Sequence, residues 1–79
     1  MRRLVIYSKP GCHLCDEMKS TVQGFVRGRA DVSVDEIDIS TDAELTRLYG
    51  IEIPVLLIDG RKAAKYRITE DRLSRLLDG

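Results

Sequence analysis

The residues of this sequence best suited to chemistry are two cysteines, Cys12 and Cys15, separated by two other residues. They are the only cysteines of the chain, and a bond between them closes too small a loop to restrain much of the unfolded chain. Stabilisation is therefore a poor explanation for the pair. In a short chain that begins with a strand, a C-x-x-C spacing indicates redox chemistry or metal binding.

The redox interpretation requires that one sulfur be ionised, because the thiolate is the nucleophile in disulfide exchange. A helix is predicted to start at Cys12, where unpaired backbone N–H groups and about half an elementary positive charge favour a thiolate. We expect the amides of Leu14 and Cys15 to donate to its sulfur. Lys9 and His13 are candidate sources of further positive charge.

The two cysteines differ in their predicted surroundings. Cys15 falls in an apolar stripe with Met18 and Val22, whereas Cys12 lies at the exposed start of the helix. Burial raises the pKa of a thiol, and exposure near positive charge lowers it. We therefore assign attack on a substrate disulfide to Cys12 and resolution to Cys15, which displaces the reduced product. The reverse sequence oxidises a dithiol.

A second element of the candidate site is the pair Ile53-Pro54, directly before the apolar run 55–58. Proline has no N–H and is tolerated at the start of a strand, while the backbone groups of the preceding residue stay free. These groups could hold an extended substrate chain beside Cys12. Since only about 5% of X-Pro bonds are cis in folded proteins, the spacing alone does not predict a cis bond.

Metal binding is the alternative chemistry for the cysteine pair. A zinc site takes about four ligands, and the other candidate ligand, His13, would point away from both cysteines on a helix. We therefore predict no metal site within one chain, and a zinc or iron–sulfur site would have to be shared between chains. The alternative function is a redox-sensing or cluster-binding module without turnover.

The hydrophobic pattern predicts an α/β fold with the element order β-α-β-α-β-β-α. A continuous β-branched and aromatic run indicates a first strand covered on both faces, and apolar spacings of three and four indicate the first helix. The predicted segments are a strand at 2–8, a helix from 12 to 27, a strand at 32–39, a helix ending at 50, strands at 55–58 and 61–66, and a helix from 69.

Capping residues and leucines define the last two helices. Thr41 and Glu44 have the spacing of a capping box, Gly50 is a candidate left-handed stop, and Thr69 is expected to cap the last helix. We expect the inward faces of these helices to carry Leu45, Leu48, Tyr49, Leu73, Leu76 and Leu77.

A four-stranded mixed sheet between helices follows from this order. The first two strands are separated by a helix and should be parallel, whereas Asp59-Gly60 predicts a hairpin between the last two. The apolar alternation of the second strand slips at Asp35-Glu36, which indicates a bulge or a late start. The cysteines then lie at the carboxyl end of the first strand, where open α/β sheets place their sites.

Length and composition narrow the class of protein. A chain of 79 residues, 43% apolar and 33% charged, is predicted to be a single ordered domain over residues 1–79. Thirteen basic residues cancel thirteen acidic ones, so no net field favours nucleic acid. The longest apolar runs have four residues, too few for a membrane span or a signal peptide. We predict a cytoplasmic protein that binds neither nucleic acid nor membrane.

Two charged stretches have alternative interpretations. A basic group at Arg61, Lys62, Lys65 and Arg67 could form a partner patch, with an acidic counterpart between residues 35 and 44. A charged edge strand is more simply explained as protection against edge-to-edge aggregation.

The order of motifs resembles the glutaredoxin branch of the thioredoxin-fold family over nearly the whole chain. The resemblance is carried by a strand, then Lys9 to Cys15 with the sequence KPGCHLC, a helix, and Ile53-Pro54 before a hairpin. It is greatest to the small bacterial glutaredoxin-like proteins. The resemblance implies that Cys12 is the nucleophile, Cys15 the resolving thiol, Pro54 a cis-proline facing them, and Lys9 a conditioning charge.

The chain departs from the glutaredoxin pattern at two places. His13-Leu14 replaces the usual Pro-Tyr, and Tyr66 to Thr69 replace a Gly-Gly-acidic motif that binds glutathione in that family. The resemblance implies a disulfide-containing protein or a small thiol as substrate and no tightly bound cofactor. Glutathione is a candidate co-substrate, and the electron donor is either glutathione or thioredoxin reductase.

Overall fold

Four strands and three helices follow one another in the predicted order in a computed structural model, which describes residues 2–78. Their bounds are β1 Arg2–Ser8, α1 His13–Val26, β2 Val32–Asp38, α2 Ala43–Tyr49, β3 Val55–Ile58, β4 Arg61–Lys65 and α3 Glu70–Asp78. A short 3-10 turn, Ile39–Thr41, lies between β2 and α2.

The strands form one mixed sheet in the order β2-β1-β3-β4. β1 and β2 are parallel, β3 is antiparallel to β1, and β4 is antiparallel to β3. The mixed four-stranded sheet that the sequence predicts is therefore confirmed. It leaves β2 and β4 as the two edges and places the end of β1, which leads into the cysteines, near the centre of the sheet.

Each face of the sheet has its own apolar cluster. On one face, Leu4 and Ile6 of β1 pack with Met18 of α1 and Leu73 of α3. On the other face, Tyr7 packs with Leu45 and Tyr49 of α2 and with the buried residues Cys15, Ile39 and Ile53. Helices thus lie on both faces, and the second cluster contains the candidate site.

The predicted irregularity of the second strand is wrong. β2 pairs with β1 residue by residue from Arg2 with Val32 to Ser8 with Asp38, without a bulge. The alternation of apolar and polar residues breaks for another reason. The β2 residues that face α1 change from apolar, Val32 and Val34, to polar along this edge strand. There Glu36 accepts a hydrogen bond from the buried Ser8 Oγ (3.1 Å) and pairs with Lys19 Nζ (3.0 Å).

The second helix begins and ends differently from the prediction. Its N-cap is Asp42, whose Oδ1 accepts from the amides of Glu44 (2.9 Å) and Leu45 (3.0 Å), so the predicted Thr41 capping box is wrong. Gly50 is not left-handed either, since its φ is −54°. Glycine fits there because a Cβ would lie 2.5 Å from the carbonyl oxygen of Thr46.

Two leucines expected to be buried are exposed. Leu48 of α2 keeps 46% of its surface exposed and Leu76 of α3 keeps 37%. In each helix the contacts to the sheet are made by residues four apart, Leu45 with Tyr49 and Leu73 with Leu77, and the leucine one position earlier is rotated to the side.

The hairpin between β3 and β4 has the predicted turn. Asp59 and Gly60 both have positive φ (51° and 84°), as a two-residue turn of this class requires. Ala63 is an extra residue in β4, because Leu56 pairs with Ala64 and Leu57 with Lys62. This bulge lets two consecutive alanines pack against the core while lysines flank them.

None of the helices within residues 2–78 has the length and apolar character needed to cross a bilayer.

Candidate active site

Cys12 occupies the N-cap of α1, one residue before the helix begins. Its backbone is extended (φ −91°, ψ 109°), and its carbonyl accepts the first helical bond from Asp16. Gly11 provides the turn that leads into it, with a left-handed φ of 77°. The sequence therefore folds locally so that a sulfur, rather than the usual hydroxyl or carboxylate, lies among the unpaired amides of the helix start.

The sulfur of Cys12 accepts a hydrogen bond from a backbone amide. The N–H of Cys15 donates to Sγ over 3.2 Å, as expected from the sequence. The amide of Leu14, also an expected donor, makes no such bond within the described chain. One donor together with the helix dipole thus faces this sulfur.

The two cysteines are joined by a disulfide in this structure. Their Cα atoms lie 5.2 Å apart, within the usual separation for a disulfide-bonded pair. Their exposure differs as predicted, since Cys12 is half-buried and Cys15 is only 1% exposed. An incoming group can therefore reach Cys12 far more readily than Cys15.

Ile53 and Pro54 lie at the other side of the same apolar cluster. Ile53 is buried with Cys15 and Ile39, and Cys12 packs against this group. Pro54 is buried, and the peptide bond between Ile53 and Pro54 is cis. The structure thus brings together the two motifs that are about forty residues apart in the sequence.

The backbone of this loop is only partly used. The carbonyl of Pro54 accepts from the amide of Tyr66 (2.8 Å), and the amide of Glu52 donates to the carbonyl of Tyr49 (2.8 Å). Within residues 2–78, neither the N–H nor the C=O of Ile53 has a hydrogen-bond partner. An extended chain beside the cysteines would find these two groups unoccupied.

The two predicted charges, Lys9 and His13, are both exposed. Lys9 lines a cavity of about 310 Å³ beside the turn that precedes Cys12, whereas His13 is the first residue of α1. Neither side chain forms an ion pair or hydrogen bond in the described part of the chain. Both side chains can therefore approach a negatively charged group at the sulfur of Cys12 without breaking an existing contact.

Three tyrosines near the site were not expected there from the sequence. Tyr7 and Tyr49 lie with ring centroids 4.9 Å apart in the cluster that contains the cysteines. Tyr66, just after β4 with a left-handed φ of 69°, donates its hydroxyl to the carbonyl of Ile51 (3.1 Å). One feature of the sequence could have pointed to Tyr66. It stands at the position where the glutaredoxin pattern has the first glycine of its Gly-Gly-acidic motif.

A charged pair lies beside this loop. Lys62 Nζ contacts Glu52 Oε1 at 2.7 Å and lies 6.0 Å from the Tyr49 ring centroid. The hydrogen bond lowers the pKa of Glu52 and raises the pKa of Lys62. Glu52 is therefore an anion and Lys62 a cation at neutral pH.

The family model for the glutaredoxin-like domain (DUF836) matches residues 3–78 of the chain. The chain belongs to this glutaredoxin-like family. A search of curated proteins found no match.

Solved structures support this assignment of the glutaredoxin-like chain. A protein from X. campestris is 30% identical with a TM-score of 0.76, and 95% of each chain is covered. Protein Ne2328 from Nitrosomonas europaea is also 30% identical, with a TM-score of 0.81, covering 98% of this chain and 92% of that one.

Thioredoxins show the same fold at lower identity. A thioredoxin variant from Halobacterium salinarum is 24% identical with a TM-score of 0.63, covering 98% of this chain and 72% of the thioredoxin. The predicted thioredoxin-like fold is thereby confirmed for the glutaredoxin-like chain.

No group of three or more histidines, cysteines and carboxylates suited to hold a metal ion occurs among residues 2–78 of this glutaredoxin-like chain.

Proposed function

We propose that this glutaredoxin-like protein is a thiol–disulfide oxidoreductase in which Cys12 is the nucleophile and Cys15 the resolving thiol. The observation that carries the proposal is the contrast between the two sulfurs. That of Cys12 lies at a helix start and accepts an amide hydrogen bond, whereas that of Cys15 is buried. Amide donation and the helix dipole lower the pKa of a thiol, and burial raises it.

Reduction of a substrate then takes two exchanges. The Cys12 thiolate attacks one sulfur of the substrate disulfide, and the other substrate sulfur leaves as a thiolate. The Cys15 thiolate next attacks the Cys12 sulfur of the mixed disulfide and releases the second substrate thiol. Two electrons have passed to the substrate, and the protein is left with the Cys12–Cys15 disulfide seen in the structure.

Ile53 is proposed to hold the substrate backbone during the first exchange. Its free N–H and C=O can pair with an extended chain whose cystine then lies beside Cys12. Lys9 and His13 are proposed to add positive charge that favours the thiolate before attack. Pro54 keeps its own carbonyl bonded to Tyr66 and so fixes the loop in place.

The substrate class is a disulfide-containing protein or a small disulfide in the cytoplasm. No tightly bound cofactor is needed, because the two cysteines carry both electrons. Glutathione or thioredoxin reductase would return the protein to its dithiol form.

Alkylation of the reduced protein tests the nucleophile assignment. At a pH below neutral, iodoacetamide should modify Cys12 at least about tenfold faster than Cys15, because only Cys12 has a helix-start donor and an accessible sulfur. Peptide mass spectrometry over time gives both rates, and the same measurement in urea should make them equal. Equal slow rates in the folded protein would contradict the assignment.

Trapping tests turnover and the substrate class together. The Cys15→Ser variant should accumulate a mixed disulfide through Cys12, since the resolving thiol is missing, whereas the matched Cys12→Ser variant should accumulate little. We propose separate incubations with oxidised glutathione and with disulfide-bonded insulin, read by intact mass. The incubation in which the mixed disulfide forms faster identifies the substrate class. If neither incubation gives a mixed disulfide, the proposed oxidoreductase function is wrong.

A further inference from the structure

Charge is segregated across the sheet although the chain as a whole is neutral. One edge strand, β2, carries three acidic side chains and no basic one, and the other, β4, carries three basic side chains and no acidic one. The sheet order places these strands at opposite edges. On β2, Asp35 and Glu36 are paired with Arg3 and Lys19, so the larger uncompensated charge lies at the β4 edge and is positive.

The positive edge contains two adjoining cavities of about 330 and 390 Å³, which share Lys62 and Ala63. The bulge at Ala63 and the small alanines leave the space between the longer side chains open. No carboxylate of the described chain lines either cavity. The basic residues that line them, called here the basic groove, are Arg2, Arg61, Lys62, Lys65, Arg67 and Arg72.

Two of the six cations already have partners. Arg2 pairs with Asp59 (2.6 Å) and Lys62 with Glu52 (2.7 Å). The four others have no carboxylate within ion-pair distance among residues 2–78. Four unpaired positive charges on one edge repel one another, and an anionic ligand would relieve this repulsion. The unpaired residues are Arg61, Lys65, Arg67 and Arg72.

The outer edge of β4 also has free backbone groups, because β4 pairs only with β3. An extended polypeptide can add to such an edge by main-chain hydrogen bonds, with alternate side chains facing the groove. Bases of a nucleic acid would need an open aromatic surface for stacking. Tyr66, just after β4, is 41% exposed, and Lys65 Nζ lies 5.5 Å from its ring centroid. A polypeptide therefore uses more of this surface than a nucleic acid would.

We propose that the basic groove binds an extended acidic segment of a protein partner along the β4 edge. Carboxylates at alternate positions of the segment meet the four unpaired cations, and its backbone pairs with β4. This surface is separate from the cysteines, and binding there does not depend on the proposed redox activity.

The test uses the oxidised full-length protein and two synthetic eight-residue peptides. One alternates threonine and glutamate, and the matched control alternates threonine and glutamine. Titration followed by amide NMR should shift residues 61–67 and Arg72 with the glutamate peptide, and the glutamine peptide should bind at least about tenfold more weakly. Equal binding of both peptides, or shifts confined to other elements, would overturn the proposal.

Charge reversal checks which cations are used. Arg67→Glu should weaken the glutamate peptide about tenfold, because a charge-assisted hydrogen bond is replaced by repulsion. Arg27→Glu is the matched control, since Arg27 is also exposed but lies after α1 and outside the groove. Equal effects of the two variants would mean a net-charge effect and contradict the groove.

A competitor identifies the class of partner. Added single-stranded oligonucleotide of eight nucleotides should displace the glutamate peptide only at higher concentration than unlabelled peptide does. If the oligonucleotide binds the groove more tightly than the peptide, the assignment to a protein segment is wrong.

Discussion

Tyr66 joins the end of β4 to the loop that carries Pro54. Its amide donates to the Pro54 carbonyl (2.8 Å) and its hydroxyl to the Ile51 carbonyl (3.1 Å), while its backbone has the left-handed φ of 69°. A bulky residue in this conformation is strained by about 1–3 kcal/mol, so the surrounding contacts must hold it. These two hydrogen bonds therefore tie the end of β4 to the loop that carries Ile53 and Pro54.

The Tyr66→Phe variant should lower the free energy of unfolding by about 0.5–1.5 kcal/mol, because it removes one hydrogen bond and keeps the ring. Urea denaturation followed by circular dichroism measures the loss. Tyr49→Phe is a matched control, since the Tyr49 hydroxyl has no hydrogen bond in the described chain, and it should be close to neutral. A larger loss in the control than in Tyr66→Phe would contradict this role.

At the scale of single residues, the sequence predicts the pairing of the two cysteines better than it predicts which other residues surround them. The C-x-x-C spacing alone indicates that the sulfurs of Cys12 and Cys15 can bond to each other, because helix geometry brings residues three apart together, and the structure shows this disulfide. The position of Tyr66 depends instead on a hydrogen bond to a loop fifteen residues earlier in the chain. No local pattern encodes such a contact. Strand propensity alone predicts that β4 continues to Tyr66, whereas β4 ends at Lys65.

The start of α2 is decided by competition between adjacent polar residues. Thr41 and Glu44 have the spacing of a capping box, but Thr41 belongs to the 3-10 turn, and its hydroxyl donates to the carbonyl of Asp38 (3.3 Å). The carboxylate of Asp42, one residue later, accepts from two amides instead. The sequence thus predicts the helix correctly and its first residue wrongly, because the turn before it takes up Thr41.

We expect Asp42→Ala to lower the free energy of unfolding by about 1 kcal/mol, since two amides of the helix start lose their acceptor. Asp42→Asn should retain most of the stability, and Thr41→Ala should cost less than Asp42→Ala. Denaturation midpoints give these values. Hydrogen exchange of the α2 amides should accelerate only in Asp42→Ala. Faster exchange in Thr41→Ala instead would mean that Thr41 caps the helix, as the capping-box prediction has it.

On the scale of the whole molecule, the order of elements explains part of the sheet. A helix between β1 and β2 favours a parallel pair, and a two-residue turn between β3 and β4 requires an antiparallel one. The order alone does not fix the direction of β3, which runs antiparallel to β1 although the helix α2 precedes it. The assignment of leucines to the interior is less successful, because Leu48 and Leu76 keep helical spacing yet lie beside the contact line rather than on it. Which of two neighbouring apolar residues is buried depends on how each helix is oriented on the sheet.

Ion pairs connect distant parts of the chain and give stability a pH dependence. Asp59, in the hairpin turn, accepts from the backbone amide of Arg3 (2.9 Å) and from the Arg2 guanidinium (2.6 Å), and these bonds hold the pKa of its carboxyl below the ordinary value of 3.8. Asp78, at the end of α3, likewise has a lowered pKa because Arg29 donates to it. Both contacts are exposed and screened by salt.

A carboxyl whose pKa is lower in the folded than in the unfolded state stabilises the fold fully above the unfolded value. That contribution is lost as the pH falls through the folded value. The denaturation midpoint of the protein should therefore decrease below about pH 4, and Asp59→Asn should reduce this decrease, since its amide does not titrate. Urea midpoints at pH 7, 5, 4 and 3, measured at low and high salt, test both statements. The same acid-induced loss in Asp59→Asn as in the parent chain would show that the turn carboxyl does not couple protonation to folding.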